Sequence, residues 1–428
     1  MTAPAEPAEP ADRTDRIDRT DRIDRADRTD RADRTDRVEA AGPAGAGSPG
    51  GSIRPAEFPG GRALFRLDRA VSHLNHGSFG AVPVPVQETH AALRAQAHGD
   101  PDAFFIGAPD RLVAARARIA ARLGADPEGL AFISNATEGA NVALDAVEFA
   151  PGDEILVTDH GYGTVVAAAA RRAPVTTVAL DPHLPDEDAV RETVLAGVTP
   201  RTRVAVLDHI SSPTARLIAS PRLLAELAER GITTIVDGAH APGMIPDPLG
   251  GGADFWFGNL HKWGYAPSGT ALLSVAPRHR ERVRPLVPSW EDHYGFPRSV
   301  ENRATFDYTG WLAAPDGLDL LEQLDAAKVR AHNSALAGYG AALLAAIPGI
   351  TPLPYTEGLA LRTLLLPPGV AATPADAREL RERLAAEQRI RVLIWPWPGG
   401  GGIRLSGQIY NRAEEYERLA EVLPAYLP

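Results

Sequence analysis

The chain of 428 residues contains no cysteine. That excludes disulfides, thiolate metal sites and a thiol nucleophile together. No apolar run approaches the roughly 20 residues that span a bilayer, and the N-terminus lacks a charged-then-apolar leader pattern. The expectation is a cytoplasmic protein with no membrane segment. Positive charge is not in excess: 44 Lys and Arg stand against 55 Asp and Glu, a formal net charge of −11, which argues against a nucleic-acid-binding surface. Lysine itself is nearly missing and occurs only as Lys262 and Lys328. Arginine stays protonated and forms no imine, whereas a lysine amine can lose its proton and attack a carbonyl. A lysine retained against such a bias is a candidate for chemistry. Lys328 lies in DAAKVRAH, which reads as a solvated helix. Lys262 lies in FWFGNLHKWGYAPSG, among aromatic and small residues.

What is present is a globular composition, 44% hydrophobic, in a chain long enough for two packed domains. Residues 12–37 repeat Asp-Arg-X with too few apolar positions for a core, and 38–60 add Gly, Pro, Ala and Ser. Residues 1–60 therefore read as a disordered tail and linker without chemistry. Beyond them, apolar runs at 131–134, 154–158, 204–210 and 232–237 read as strands. Helical stretches start near Glu138 and cover 164–172 and 221–231. Runs of this kind, rather than alternating patterns, predict a mainly parallel sheet with helices on both faces. From Trp311 the pattern changes to long helices over 311–346 and 374–387, with short strands near 360–366, 390–394 and 402–406. The expected organisation is a large α/β domain over 61–310, with an N-terminal arm, and a smaller α+β domain over 311–428.

Sites in open α/β sheets gather at the carboxyl ends of the strands. Ser134-Asn135-Ala136-Thr137-Glu138-Gly139 follows the first strand and opens a helix; it suits either a phosphate or a plain N-cap. Asp159-His160-Gly161-Tyr162, Asp208-His209 and Asp237-Gly238-Ala239-His240 close the next three. A metal cluster is one reading of so many Asp and His, but no HxH or HExxH spacing supports it. The glycine runs at 250–252 and 399–402 match neither the dinucleotide nor the Walker pattern and read as turns. A unique imine-competent lysine, a helix start fit for phosphate and a strand-end aspartate together describe a pyridoxal phosphate site.

The segments LNHGSFGAVP (74–83), SNATEGAN (134–141), TDHGYG (158–163), DHISSPT (208–214), VDGAHAPG (236–243), GNLHKWGYAPSGTALL (258–273) and IRLSGQIYN (403–411) resemble the class V aminotransferase superfamily, and within it the isopenicillin N epimerase-like branch. The resemblance runs from about residue 70 to the C-terminus. It implies a pyridoxal-phosphate-dependent transferase fold of type I and an enzyme that holds an amino acid as an external aldimine. Residue by residue, it implies that Lys262 is the Schiff-base lysine. Asp237 would pair with the pyridine nitrogen, and His240 would contact the phenolic oxygen. Ala136, Thr137 and His261 would hold the phosphate, and His160 or Tyr162 would stack on the ring. Asn75 and Arg404 would grip the substrate carboxylate. It further implies a homodimer with a shared site, to which Thr305 of the neighbouring chain contributes. Two departures stand out: the family's GT reads Ala304-Thr305, and its SPTG ends in Ala215. The cysteine of the related desulfurases is missing. The residues serve epimerisation, β-elimination (C–S lyase chemistry, as in hercynylcysteine sulfoxide lyases) and transamination alike, ranked here in that order. A non-enzymatic binding or regulatory module is the remaining class, and the presence of both Lys262 and Asp237 speaks against it.

Overall fold

The computed structural model describes residues 53–249 and 251–428; the Asp-Arg triplets and most of the linker lie outside the described residues. Seven strands form the main sheet: β1 (Leu130–Ile133), β2 (Glu154–Thr158), β3 (Val175–Val178), β4 (Thr202–Asp208), β5 (Thr233–Asp237), β6 (Phe255–Asn259) and β7 (Ala271–Val275). Their spatial order is β1-β7-β6-β5-β4-β2-β3. β7 is antiparallel to both its neighbours, and the other pairs are parallel. All residues of β1, β2, β5 and β6 are buried, as apolar runs without alternation predict. The sequence reading placed β1, β2, β4 and β5 and missed β3, β6 and β7. β3 is a half-exposed edge strand of sequence VTTV; β6 and β7 flank the lysine segment.

The longer helices are α1 (Val84–Gly99), α2 (Pro101–Leu123), α3 (Ala136–Asp145), α4 (Gly163–Ala170), α5 (Glu187–Ala196), α6 (Pro221–Glu229), α7 (Thr309–Gln323), α8 (Ala326–Ala345), α9 (Pro374–Gln388) and α10 (Ala413–Val422). The sheet residues divide by the two-residue period of a strand. Ile155, Val204, Val206 and Ile235 pack under α3 and α4, while Leu156, Ala205, Leu207 and Val236 pack under α2, α5, α6 and α7. The expected helical stretch 311–346 is two helices. They break at Asp325, which adopts φ 63° and whose carboxylate caps α8 by accepting from the Lys328 N–H. α7, at the start of the expected second domain, belongs to the main-sheet core: Trp311 stacks on Phe132 with ring centroids 5.6 Å apart.

A second, antiparallel sheet comprises β8 (Thr351–Pro352), β9 (Leu361–Leu365), β10 (Leu393–Trp397) and β11 (Gly400–Ser406), in the order β10-β11-β9-β8. Leu336 and Leu344 of α8, Leu380 and Leu384 of α9, and Tyr416 and Leu419 of α10 close its core. Arg404 is carried on β11, opposite Thr363 of β9 and Leu393 of β10.

Both alanines that depart from the resembled glycines have left-handed backbones, Ala215 at φ 55° and Ala304 at φ 55°. An L-residue there is strained by roughly 1–2 kcal/mol. Ala215→Gly is therefore expected to raise stability by about 0.5–1 kcal/mol, the relief less the extra chain entropy of glycine. Urea denaturation of the two proteins side by side reads this out, with a higher midpoint for the variant.

Candidate active site

The carboxyl ends of β1, β2, β4, β5 and β6 meet at one edge of the sheet, around a cleft of about 200 Å³. Of the residues predicted from sequence, Ala136, Thr137, Tyr162, Asp237, His240, His261 and Lys262 line it. A larger cleft of about 410 Å³ lies elsewhere, against Phe105, Trp290 and Tyr308. It contains Thr305 and no other predicted residue, so the chemistry-bearing groups, not size, identify the candidate site.

The helix that opens on the cleft is held by its sequence. Asn135 Oδ1 accepts from the Glu138 N–H at 3.0 Å, and Asn259 Oδ1 from the Ala136 N–H at 2.9 Å. The first turn of a helix has donors without intrahelical partners, and that of Thr137 is not taken by either amide. The dipole of α3 adds positive potential at this point. α3 can approach the sheet so closely because of Gly139: a Cβ there would meet Phe257 Cβ at 2.5 Å and Ile133 Cδ1 at 2.8 Å. Gly139→Ala is expected to cost about 1–3 kcal/mol by overpacking and to lift the helix start. Denaturation together with a titration of anion affinity tests this, and a variant weakened in stability alone would separate α3 from the site.

Burial dominates the electrostatics. Desolvation, reinforced by the Arg404 guanidinium and offset by Asp237 and Asp208, lowers Lys262 to about 8. Desolvation raises Asp237 to about 6, against the stabilising Ala239 N–H, which donates to its Oδ1 at 2.9 Å. Asp208, fully buried beside it in the β4–β5 register, is raised well above the usual carboxylate range, first by burial and then by the Asp237 charge. His240 is pushed well below its ordinary value by burial, then by Lys262, and is therefore neutral. The Trp263 indole N–H donates to His240 Nδ1 at 3.4 Å; the ring proton then sits on Nε2, 3.3 Å from Lys262 Nζ. His261 is lowered to about 4 by burial, then by Lys262. Its Nδ1–H donates to the Thr270 carbonyl at 3.0 Å, leaving Nε2 free to gain a proton when an anion approaches.

The remaining predicted residues stand outside the lining. His160 is buried behind the cleft, with Nδ1 3.4 Å from Thr214 Oγ1 and its ring 5.5 Å from that of Trp397; Tyr162 reaches the cleft and is half exposed. Arg404 is 1% exposed. It donates to the Ser212 carbonyl at 2.8 Å and Oγ at 2.9 Å, and to Ser78 Oγ at 3.4 Å; both serines line the cleft. Asn75 connects to the cleft through Ser78, whose hydroxyl donates to Asn75 Oδ1 at 2.7 Å. Thr305 is exposed. Sequence reasoning gave no role to Ser78 or Asn259, and none to Asp208 and Ser212 beyond placing the 208–214 segment at the site edge of the sheet. For Asp208 and Asn259 a signal existed, since each is a polar residue ending an apolar strand. Ser78, in the short helix His76–Phe79, carried none.

Residues 84–364 match the family model described as aminotransferase class-V. The isopenicillin N epimerase of Streptomyces clavuligerus is 33% identical over 398 residues, 86% of this chain and 98% of that protein. A putative L-cysteine desulfhydrase 2 of Oryza sativa subsp. japonica is 30% identical over 429 residues, 88% of each chain. Among solved structures, a C-DES variant with glycine covalently linked to its PLP cofactor matches with a TM-score of 0.73 at 20% identity, over 85% of this chain and 98% of that one. The α/β fold read from the sequence is thus the fold of this group of structures.

Proposed function

The chain belongs to the aminotransferase class-V family, whose enzymes depend on pyridoxal phosphate, and on that premise we propose that it removes the Cα proton of an amino acid and acts as an epimerase of the isopenicillin N type. The cleft fits the cofactor. Two buried carboxyls at adjacent strand ends call for a cationic partner such as a protonated ring nitrogen. The Thr137 N–H at the start of α3 and His261 suit a phosphate. Lys262 is an amine that loses its proton near neutral pH.

When bound, pyridoxal phosphate supplies an aldehyde that holds the substrate amine and a ring that receives the electron pair left at Cα. The chain's residues take the other roles. Asp237 keeps the ring nitrogen protonated, and His240 donates from Nε2 to the ring oxygen. Thr137 and His261 hold the phosphate, and Ala136, whose N–H is held by Asn259, lines the same place. Tyr162, rather than the buried His160, covers the ring face. Lys262 accepts the Cα proton on its own face, and inversion requires a proton to be returned to Cα from the opposite face. Arg404 grips the substrate carboxylate once it exchanges its bonds to Ser212 and Ser78, with Asn75 acting through Ser78. Thr305, exposed and outside the lining of its own cleft, completes the phosphate cup of a second copy in a homodimer.

The observation that carries this reading is Lys262: one of two lysines in the chain, lining the cleft beside a neutral His240 whose proton is fixed toward it. The epimerase outcome is supported by the 33% identity across 98% of the Streptomyces clavuligerus enzyme. A C–S lyase outcome is supported by the rice relative at 30%. Chiral chromatography of isopenicillin N and a panel of amino acids after incubation decides between them. Inversion at Cα supports the proposal; sulfide with keto acid from cysteine or its conjugates makes the enzyme a lyase, and keto acid alone a transaminase.

Arg404→Lys keeps the charge but loses the two-pronged fork that fixes a carboxylate. Substrate use should fall tenfold or more, about 1.4 kcal/mol, with cofactor absorbance intact. Unchanged kinetics would make Arg404 a structural residue of β11.

A further inference from the structure

The Asp237 carboxyl has a neighbour that the proposed reaction does not use. β4 and β5 are parallel and in register, with Asp208 directly opposite Asp237, so their side chains leave the sheet side by side on strands about 4.8 Å apart. Each residue is 4% exposed, and both line the cleft. They are not equivalent. Asp237 Oδ1 accepts the Ala239 N–H at 2.9 Å, whereas Asp208 Oδ2 is buried with no hydrogen-bond partner. That atom lies against the turn after β2, 3.9 Å from where a Cβ on Gly161 would stand.

We propose that Asp208 is a positioning residue that acts through Asp237: the two carboxyls hold one proton between them, carried by Asp208, so that the single negative charge of the pair rests on Asp237. Two carboxylates this close and this buried do not both ionise; the Tyr162 N–H faces Asp208, but the Ala239 N–H at 2.9 Å from Asp237 Oδ1, set against the unpartnered Asp208 Oδ2, favours Asp237 as the charged member. Burial raises both groups, and the charge of Asp237 raises Asp208 further.

The groups facing the pair are few. Lys262 approaches from the turn after β6 and His240 from the turn after β5, while Tyr162 lies over the pair from the turn after β2. His160, in the same turn, is directed to Thr214. His240 is neutral, so Lys262 is the cation nearest the pair. A second full charge on Asp208 would hold the proton on Lys262, since each nearby carboxylate favours its charged form. A protonated Asp208 leaves one negative charge for one ring nitrogen and leaves the lysine free to act as a base.

The inference rests on the pyridoxal phosphate site proposed above, and infrared spectroscopy of the holoenzyme tests the two separately. Visible absorbance of the purified protein first reports that the cofactor is bound; its absence would overturn the site reading, whatever the carboxyls do. On the absorbing protein at pH 7, the difference spectrum between wild type and Asp208→Asn should show the loss of one carbonyl stretch of a protonated carboxylic acid, shifted in deuterated water. In Asp237→Asn, which removes the like charge, the Asp208 acid band should be lost at a pH lower by one unit or more than in wild type. Should Asp208→Asn not fold, Asp208→Thr supplies the same subtraction. An Asp208 variant that loses a carboxylate band instead, or an Asp237→Asn protein whose acid band titrates as in wild type, would overturn the shared proton.

Discussion

Replacement of Lys262 by alanine is expected to lower turnover by about 10³-fold or more, the range of a lost general base, and to end the fixation of cofactor to protein by borohydride. Lys262→Arg should fail as completely. The position needs an amine that sheds its proton, and a guanidinium supplies charge without that property. The structure gives the amine this property by burying it beside Arg404, which lowers it to about 8 in spite of Asp237 and Asp208. The neutral fraction therefore rises with pH, and attachment of cofactor to cofactor-free protein should accelerate from pH 6 to about 8 and then level off. Lys328, exposed and paired with Asp325 at 2.9 Å, is the internal control; peptide mapping that recovers the fixed cofactor on Lys328 would refute the assignment.

Asp237→Asn should give two effects of opposite sign. Turnover should fall by about 10²-fold, roughly 2.7 kcal/mol, because a neutral amide no longer favours the protonated ring. Stability without cofactor should rise. The folded-state value of Asp237, about 6, lies above its ordinary 3.8, so the folded protein binds a proton that the unfolded chain releases. The stability this provides is full below about pH 4 and lost as pH rises through about 6. Removing the carboxyl removes that loss, worth up to about 3 kcal/mol at neutral pH. Denaturation of cofactor-free wild type and variant at pH 5 and pH 8 checks the sign. A variant that is less stable at pH 8 would make Asp237 a structural group rather than one held under strain for its cofactor.

The parts of the molecule that were legible in the sequence are those in which local chemistry and position coincide. Strands β2, β4 and β5 are apolar runs ended by polar residues, so both the strand and its delivery of Asp237 to the sheet edge could be read together. Lys262 was legible from composition, which leaves two lysines, together with the aromatic and small residues around it, which set it apart from Lys328. The edge strand β3 was not, because half-exposed Thr and Val give neither an apolar run nor a clean alternation. The roles of Ser78 and Ser212 were invisible for another reason: each meets Arg404 only through packing on β11, Ser212 from the loop after β4 across 192 residues and Ser78 from the short helix His76–Phe79 across 326. Nor could His160 and Tyr162 be separated from sequence. They are two residues apart in one turn, and which of them enters the cleft depends on how that turn packs on Thr214 and Trp397.

The most direct test of the central claim, that Lys262 moves the Cα proton of an amino acid, is incubation of the holoenzyme with isopenicillin N and a panel of amino acids in deuterated water, followed by mass spectrometry. One deuterium is expected at Cα of at least one of these compounds, with configuration retained or inverted, and none with Lys262→Ala. Exchange that persists at the wild-type rate in Lys262→Ala would contradict it.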